Sequence, residues 1–174
     1  MVDVVKAFEE AEIVPKIIPN PPKEIFPVNF DGVQVECGTE LRPRQSRFMP
    51  KVHYKGANKE DLYALIMIDP DALSKENPRV AEWLHWLVVN IPGSNLLDGL
   101  IGGSSVMNFA GPTPGERTGL HRYILLLWHQ TNGRAAVNAP SSRQKFKVAA
   151  FQEKHKLGDP IAGNYFLSQW EPVN

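Results

Sequence analysis

Cysteine occurs once among the 174 residues, as Cys37, and no Asn-x-Ser/Thr acceptor occurs at all. An internal disulfide framework is excluded, and none is needed, because a domain of this length buries roughly 70% of the surface its unfolded chain exposes. Net charge is missing too. Lys plus Arg number 19 and Asp plus Glu number 19, so no overall field draws the molecule onto nucleic acid or an anionic membrane, and any anion site must be local. The longest apolar runs, Tyr63–Ile68 and Tyr123–Trp128, are far shorter than the ~20 residues of a spanning helix. The first residues, MVDVVKAFEEAE, carry acids where a secretory leader has an apolar stretch. These absences predict one domain over residues 1–174, cytoplasmic and monomeric, with no cofactor, no structural metal, no nucleic-acid partner and no transmembrane segment.

What is present reads as β structure. Val2, Val5, Phe8 and the segment Glu9–Ile13 suggest a short amphipathic helix that cannot continue past Pro15, since proline lacks the amide hydrogen and clashes with the preceding turn. Pro15, Pro19, Pro21, Pro22 and Pro27 then keep the backbone extended or irregular. Strand-like segments follow at Phe26–Phe30, Val33–Glu36, Lys51–Tyr54, Asp61–Asp69, His85–Ile91, Leu120–Gln130 and Asn164–Trp170. LYALIMID and YILLLW are apolar on both alternating faces, as in central strands covered on each side, and Tyr63–Ile68 and Tyr123–Trp128 are expected to be antiparallel neighbours. Ser141 or Ser142 could cap a helix reaching Phe151, with Phe146, Ala149 and Ala150 as its buried stripe.

Three polar groups stand at ends of these apolar strands. Asp69 precedes Pro70, which favours extended backbone at the strand mouth. It admits two readings: an Asx turn satisfying nearby amides, or a carboxylate facing a ligand. His85 begins its strand on the face of Leu87 and Val89, with Trp86 and Val88 opposite; a lone histidine there is most often structural. His121 and Tyr123 share a face, directly after the loop Gly111–Gly119, whose glycines allow close backbone approach and whose prolines stiffen it. That loop is either an ordinary strand connection or an anion cradle. Clustering the three groups would satisfy each of them.

The motifs D-P-D-A-x-S at 69–74, E-W-x-H-W-L-V-V-N at 82–90 and G-P with G-x-H-R-Y at 111–123 resemble the signature of the phosphatidylethanolamine-binding family, which includes the Raf kinase inhibitor proteins. The likeness runs from about residue 25 to about residue 170. It implies a mainly β, antiparallel two-sheet fold with a few peripheral helices. It implies a pocket for phosphate, phosphorylethanolamine or another anionic phospholipid head group, lined by Asp69, Trp83, His85, Pro112, His121 and Tyr123. It further implies a non-enzymatic role, with kinase modulation or serine-protease inhibition as family activities and a protein kinase as a partner. Departures are visible: Leu73 replaces the proline of D-P-D-x-P, the Gly111–His121 loop is longer than in common animal members, and Met107 or Phe109 stands for a tyrosine. The chain stops soon after Trp170, which predicts a more open mouth, and Ala150 replaces a phosphorylatable serine.

Two rivals come from other classes. Asp69, His85 and His121 could form a two-histidine, one-carboxylate metal site, but no local H-x-x-E or H-x-H pattern supports one, and no G-x-S-x-G elbow marks a hydrolase. A protein-interaction or protease-inhibitor module with a vestigial pocket would instead use basic patches such as Arg42, Arg44 and Arg47, or Arg143, Lys145 and Lys147, which otherwise read as solvated faces. Cys37 reads as a small buried hydrophobe.

Overall fold

A computed structural model describes residues 2–172. Its elements, in chain order, are helix α1 (Val4–Glu10), strands β1 (Glu24–Ile25), β2 (Val28–Phe30), β3 (Val33–Gln34), β4 (Thr39–Glu40), β5 (Lys51–Val52), β6 (Leu62–Asp69) and β7 (Trp83–Pro92), helix α2 (Gly93–Leu97), strands β8 (Ser104–Met107) and β9 (His121–His129), helix α3 (Val148–Lys154) and strand β10 (Ala162–Ser168). One large sheet runs β1-β10-β9-β6-β7-β8, with β4 also on β10, and a small sheet runs β3-β2-β5. Along β10, β9, β6, β7 and β8 the pairing is antiparallel, while the short β1 and β4 join β10 in parallel.

The two uninterrupted apolar runs form the centre of the large sheet, side by side, with Ile66 opposite Leu126 and Ile68 opposite Ile124. Alternation sends Tyr63, Leu65, Met67, Tyr123 and Leu125 into one core, which the small sheet covers with Val28, Phe30 and Val52. Ala64, Ile66, Ile68, Ile124 and Leu126 enter the other, covered by Val4 and Phe8 of α1 and Val148 and Phe151 of α3. Each such Leu or Ile contributes roughly 1.5–3 kcal/mol by leaving water. The buried Asn164 ties the layers: its Nδ2 donates to Phe26 O at 3.1 Å and Val35 O at 2.9 Å.

Both helix expectations need correction. α1 is capped by Asp3, whose side chain accepts the Lys6 amide, and it buries Val4 and Phe8 rather than Val2 and Val5. The later helix starts at Val148, not at Ser141 or Ser142. Residues 143–146 are already spent on backbone pairing with residues 80–84: Lys145 N donates to Val80 O at 2.9 Å, and Phe146 N to Glu82 O at 2.9 Å. Only beyond them can the chain coil, and the first amide, Val148 N, is capped from that same partner segment by Glu82 Oε1 at 2.8 Å. Ala149 and Ala150 therefore face outward, while Val148, Phe151 and Gln152 are buried.

Candidate functional site

The site forms where β6, β7 and β9 end together. Along β7 the register against β6 slips: Met67 pairs with Trp86 but Ile68 pairs with Leu84, leaving His85 without a partner on β6. This bulge turns His85 over. Instead of sharing the face of Leu87 and Val89, it packs edge-on against Tyr123, with ring centroids 5.3 Å apart at 72°. Arg143 holds the bulge in place, its Nη1 donating to Leu84 O and His85 O at 3.0 Å and its Nη2 to Asn108 O at 2.8 Å. It is thus no solvated surface charge.

Asp69 and His121 close the next layer. Asp69 Oδ1 accepts the Asp71 amide at 2.7 Å, the Asx turn anticipated, while Oδ2 accepts from His121 Nδ1 at 2.8 Å. The Asx turn takes one oxygen and the histidine the other. Thr118 Oγ1 lies 2.8 Å from His121 Nε2 and donates its one hydrogen to Gly115 O at 2.7 Å. With that hydrogen on Gly115 O the hydroxyl accepts from Nε2, an arrangement that suits an imidazolium with both ring nitrogens carrying hydrogen. Burial opposes that charge, but the hydrogen bond to Asp69 and the charges of Asp69 and Asp71 outweigh it and raise the His121 pKa.

His85 differs. Burial drives its pKa down, assisted by the charges of Arg143 and His121 and opposed by the Ala110 carbonyl and Asp69. Its Nδ1 donates to Ala110 O at 2.7 Å, and in the neutral ring that the lowered pKa favours, Nε2 is an acceptor. Tyr123 lies parallel to His121, centroids 6.3 Å apart at 14°. Burial, then the Asp69 and Asp71 charges, push its phenol far up, and it stays a donor.

These groups line a cavity of about 410 Å³ that contains Asp69, Trp83, His85, His121 and Tyr123. Of the six residues expected, Pro112 is the exception. It is buried away from the cavity, which Pro114, with Thr113, Gly115 and Thr118, lines instead. Leu73 lines the mouth, and its peptide bond to Ala72 is cis. Neither Met107 nor Phe109 lines the cavity; Phe109 packs edge-on against Trp86. Thr118 escaped the sequence reading, although a hydroxyl three residues before His121 in a glycine-rich loop is the available signal. Among the described residues no cluster of His, Cys, Asp and Glu is arranged to hold a metal ion, and the facing atoms of Asp69 and His121 are spent on each other.

The second aspartate of the motif is structural. Asp71 takes Arg122 Nε and Nη2 at 2.9 and 2.8 Å and the Arg122 amide at 2.9 Å, and Arg122 Nη1 reaches Ala11 O at 2.7 Å. Cys37, half-buried, has its thiol pushed up to about 11 by burial, as suits a packing residue.

Comparison with known proteins fits this arrangement. The chain is 32% identical to a Drosophila melanogaster protein provisionally named odorant-binding protein A5, over 97% of this chain and 81% of that one. It is 38% identical to the 26 kDa secreted antigen of Toxocara canis over 93% of its own length, spanning 63% of that protein. In fold it resembles carboxypeptidase Y inhibitor, known in complex with its cognate proteinase, with a TM-score of 0.81 at 19% identity, covering 97% of this chain and 95% of that one. The secreted relative overturns the cytoplasmic assignment. A fold held by two apolar layers stands without disulfides in either compartment, so a single cysteine does not report where the chain resides. The family model described as phosphatidylethanolamine-binding protein matches residues 30–166, a span that carries every side chain of the cavity, and the chain belongs to that family.

Proposed function

We propose that the chain is a non-enzymatic binding protein, working outside the cytoplasm, whose cavity takes a phosphate-type anionic group such as free phosphate or a phosphorylethanolamine head group. Its contact residues are Asp69, Trp83, His85, His121 and Tyr123. The observation that carries this reading is the doubly hydrogen-bonded His121, whose pKa Asp69 raises against burial, at the end of a mostly apolar cavity. A ligand oxygen that takes the Nε2 hydrogen from Thr118 gains a charge-assisted bond, roughly twice as strong as a neutral one. Thr118 keeps its own bond to Gly115 throughout. Asp69 has both oxygens engaged by Asp71 and His121, which turns its lone pairs away from an incoming anion. The neutral His85 Nε2 accepts from a protonated phosphate oxygen or an ammonium group. The relative named for odorant binding supports small-ligand capture, and the relative named a secreted antigen supports export.

Titration calorimetry with inorganic phosphate and with phosphorylethanolamine tests this. Wild type should bind, and His121→Ala should lose a contact worth roughly 1.5–3 kcal/mol. Absence of heat with both ligands, or unchanged affinity in His121→Ala, sinks the reading.

A further inference from the structure

A second concavity shares a wall with the first. The segment Val80–Leu84 gives Val80 and Trp83 to the Asp69 cavity, and it is hydrogen-bonded along its length to Arg143–Phe146. Lys145 and Phe146 of that partner segment line a separate groove of about 420 Å³. The floor of the groove is apolar, made by Leu87, Val137, Phe146 and Phe151, all within or packed against the core on the helix side of the sheet. Its rim carries Lys145, Lys147, Lys154 and His155, and no Asp or Glu lines it among the described residues.

The three lysines are not neutralised locally. Lys145 and Lys154 take part in none of the ion pairs among the described residues, and Lys147 Nζ donates to the Ala81 carbonyl at 2.8 Å. Glu82, the carboxylate nearest in the ladder, caps Val148 and is pushed up to about 7 by burial, against the Val148 hydrogen bond and the Lys147 charge. It therefore supplies less than a full negative charge near neutrality. In a chain with no net charge, this concentration of cations over an apolar floor is a local feature.

We propose that the groove is a second binding site, for a small anionic amphiphile: an aliphatic or aromatic body against Phe146 and Phe151, and a carboxylate or phosphate at Lys145 and Lys154. Its volume lies in the range of roughly 300–1,000 Å³ typical of small-molecule sites. An extended peptide gains less here, because the Lys145 and Phe146 amides are already spent on Val80 and Glu82. The site goes beyond the head-group cavity and does not depend on it.

The test is a titration of isotope-labelled protein with sodium decanoate, below its micelle concentration, and with decanol, following backbone amide shifts. Decanoate should give saturable shifts at Leu87, Val137 and residues 145–155 and bind several-fold more tightly than decanol. The double variant Lys145→Glu with Lys154→Glu should weaken decanoate several-fold, and Ala150→Trp, which brings an indole into the groove from the exposed face of α3, should block it. Phosphorylethanolamine, read at residues 113–123, reports on the other cavity separately and should be unaffected by Ala150→Trp. Shifts confined to the Asp69 cavity, equal binding of decanol, or decanoate binding indifferent to both variants would overturn the proposal.

Discussion

Asp69 Oδ2 lies 2.8 Å from His121 Nδ1, joining two buried side chains 52 positions apart in the chain at the ends of adjacent strands. The carboxylate favours the charged imidazole against burial, so Asp69→Asn should lower the His121 pKa. Proton NMR titration of the His121 ring reads this directly. In wild type, phosphate affinity should be greatest on the acid side of the raised His121 pKa and decline as pH climbs through it. In Asp69→Asn the decline should move to lower pH, and an unmoved midpoint would refute the pairing as its cause.

Thr118 competes with any ligand for the His121 Nε2 hydrogen. Thr118→Val, close to isosteric, should lower unfolding free energy by about 1 kcal/mol, the usual worth of one hydrogen bond. It should also raise phosphate affinity, because the donor is freed beforehand. Calorimetry alongside urea unfolding separates the two effects, and weaker binding would mean that the hydroxyl itself contacts the ligand.

Glu82 sets a pH dependence of stability whose sign is fixed. Its folded pKa is raised from 4.5 to about 7 by burial, although the Val148 amide and Lys147 pull the other way. Between those values the folded state holds a proton that the unfolded chain has released, so this contribution is complete below about 4.5 and lost as pH rises towards about 7. The amount is on the order of 3 kcal/mol. Glu82→Gln, which can still cap Val148, should flatten the slope; urea midpoints at several pH values compare the two proteins, and identical slopes would exclude Glu82 as the source.

Asp71 and Arg122 form a buried two-pronged pair that also holds the carboxyl end of α1 through Ala11. Asp71→Ala leaves a desolvated guanidinium without its partner and should cost about 3–5 kcal/mol. Arg122→Lys should also destabilise, since an ammonium cannot span both oxygens. Proteolysis near residue 11 should accelerate in both variants; retained stability in Asp71→Ala would show the pair to be dispensable.

Gly111 opens the loop that carries Thr113, Pro114, Gly115 and Thr118 to the cavity. A Cβ there would lie 2.9 Å from Arg47 O and 3.0 Å from Ser46 O, both backbone atoms. Gly111→Ala should displace the loop, costing about 1–3 kcal/mol, and weaken phosphate binding without altering any cavity side chain. Unchanged affinity would separate the loop from ligand capture.

The central strands were legible because LYALIMID and YILLLW have no polar face and can only be covered twice. His121 and Tyr123 lie on one face, as read, because period-two alternation holds through β9. The face of His85 was misread because a bulge breaks that period without any glycine or proline to announce it. The start of α3 was misread because the pairing of residues 143–146 with residues 80–84 is a tertiary choice that local capping residues do not express. Arg143 and Thr118 act through backbone carbonyls and one hydroxyl contact, which carry no sequence periodicity at all.

The bulge gives β7 two frames of reference within one strand. From Trp86 to Val89 each residue is committed to one of the two cores, whereas Trp83 and His85, a step out of phase, answer to the cavity. Repacking of the core stretch leaves His85 aimed as it is, and exchange at Trp83 changes the cavity wall without moving the ladder. Ligand preference can therefore diverge between chains that share this sheet while their hydrogen-bond registers stay the same.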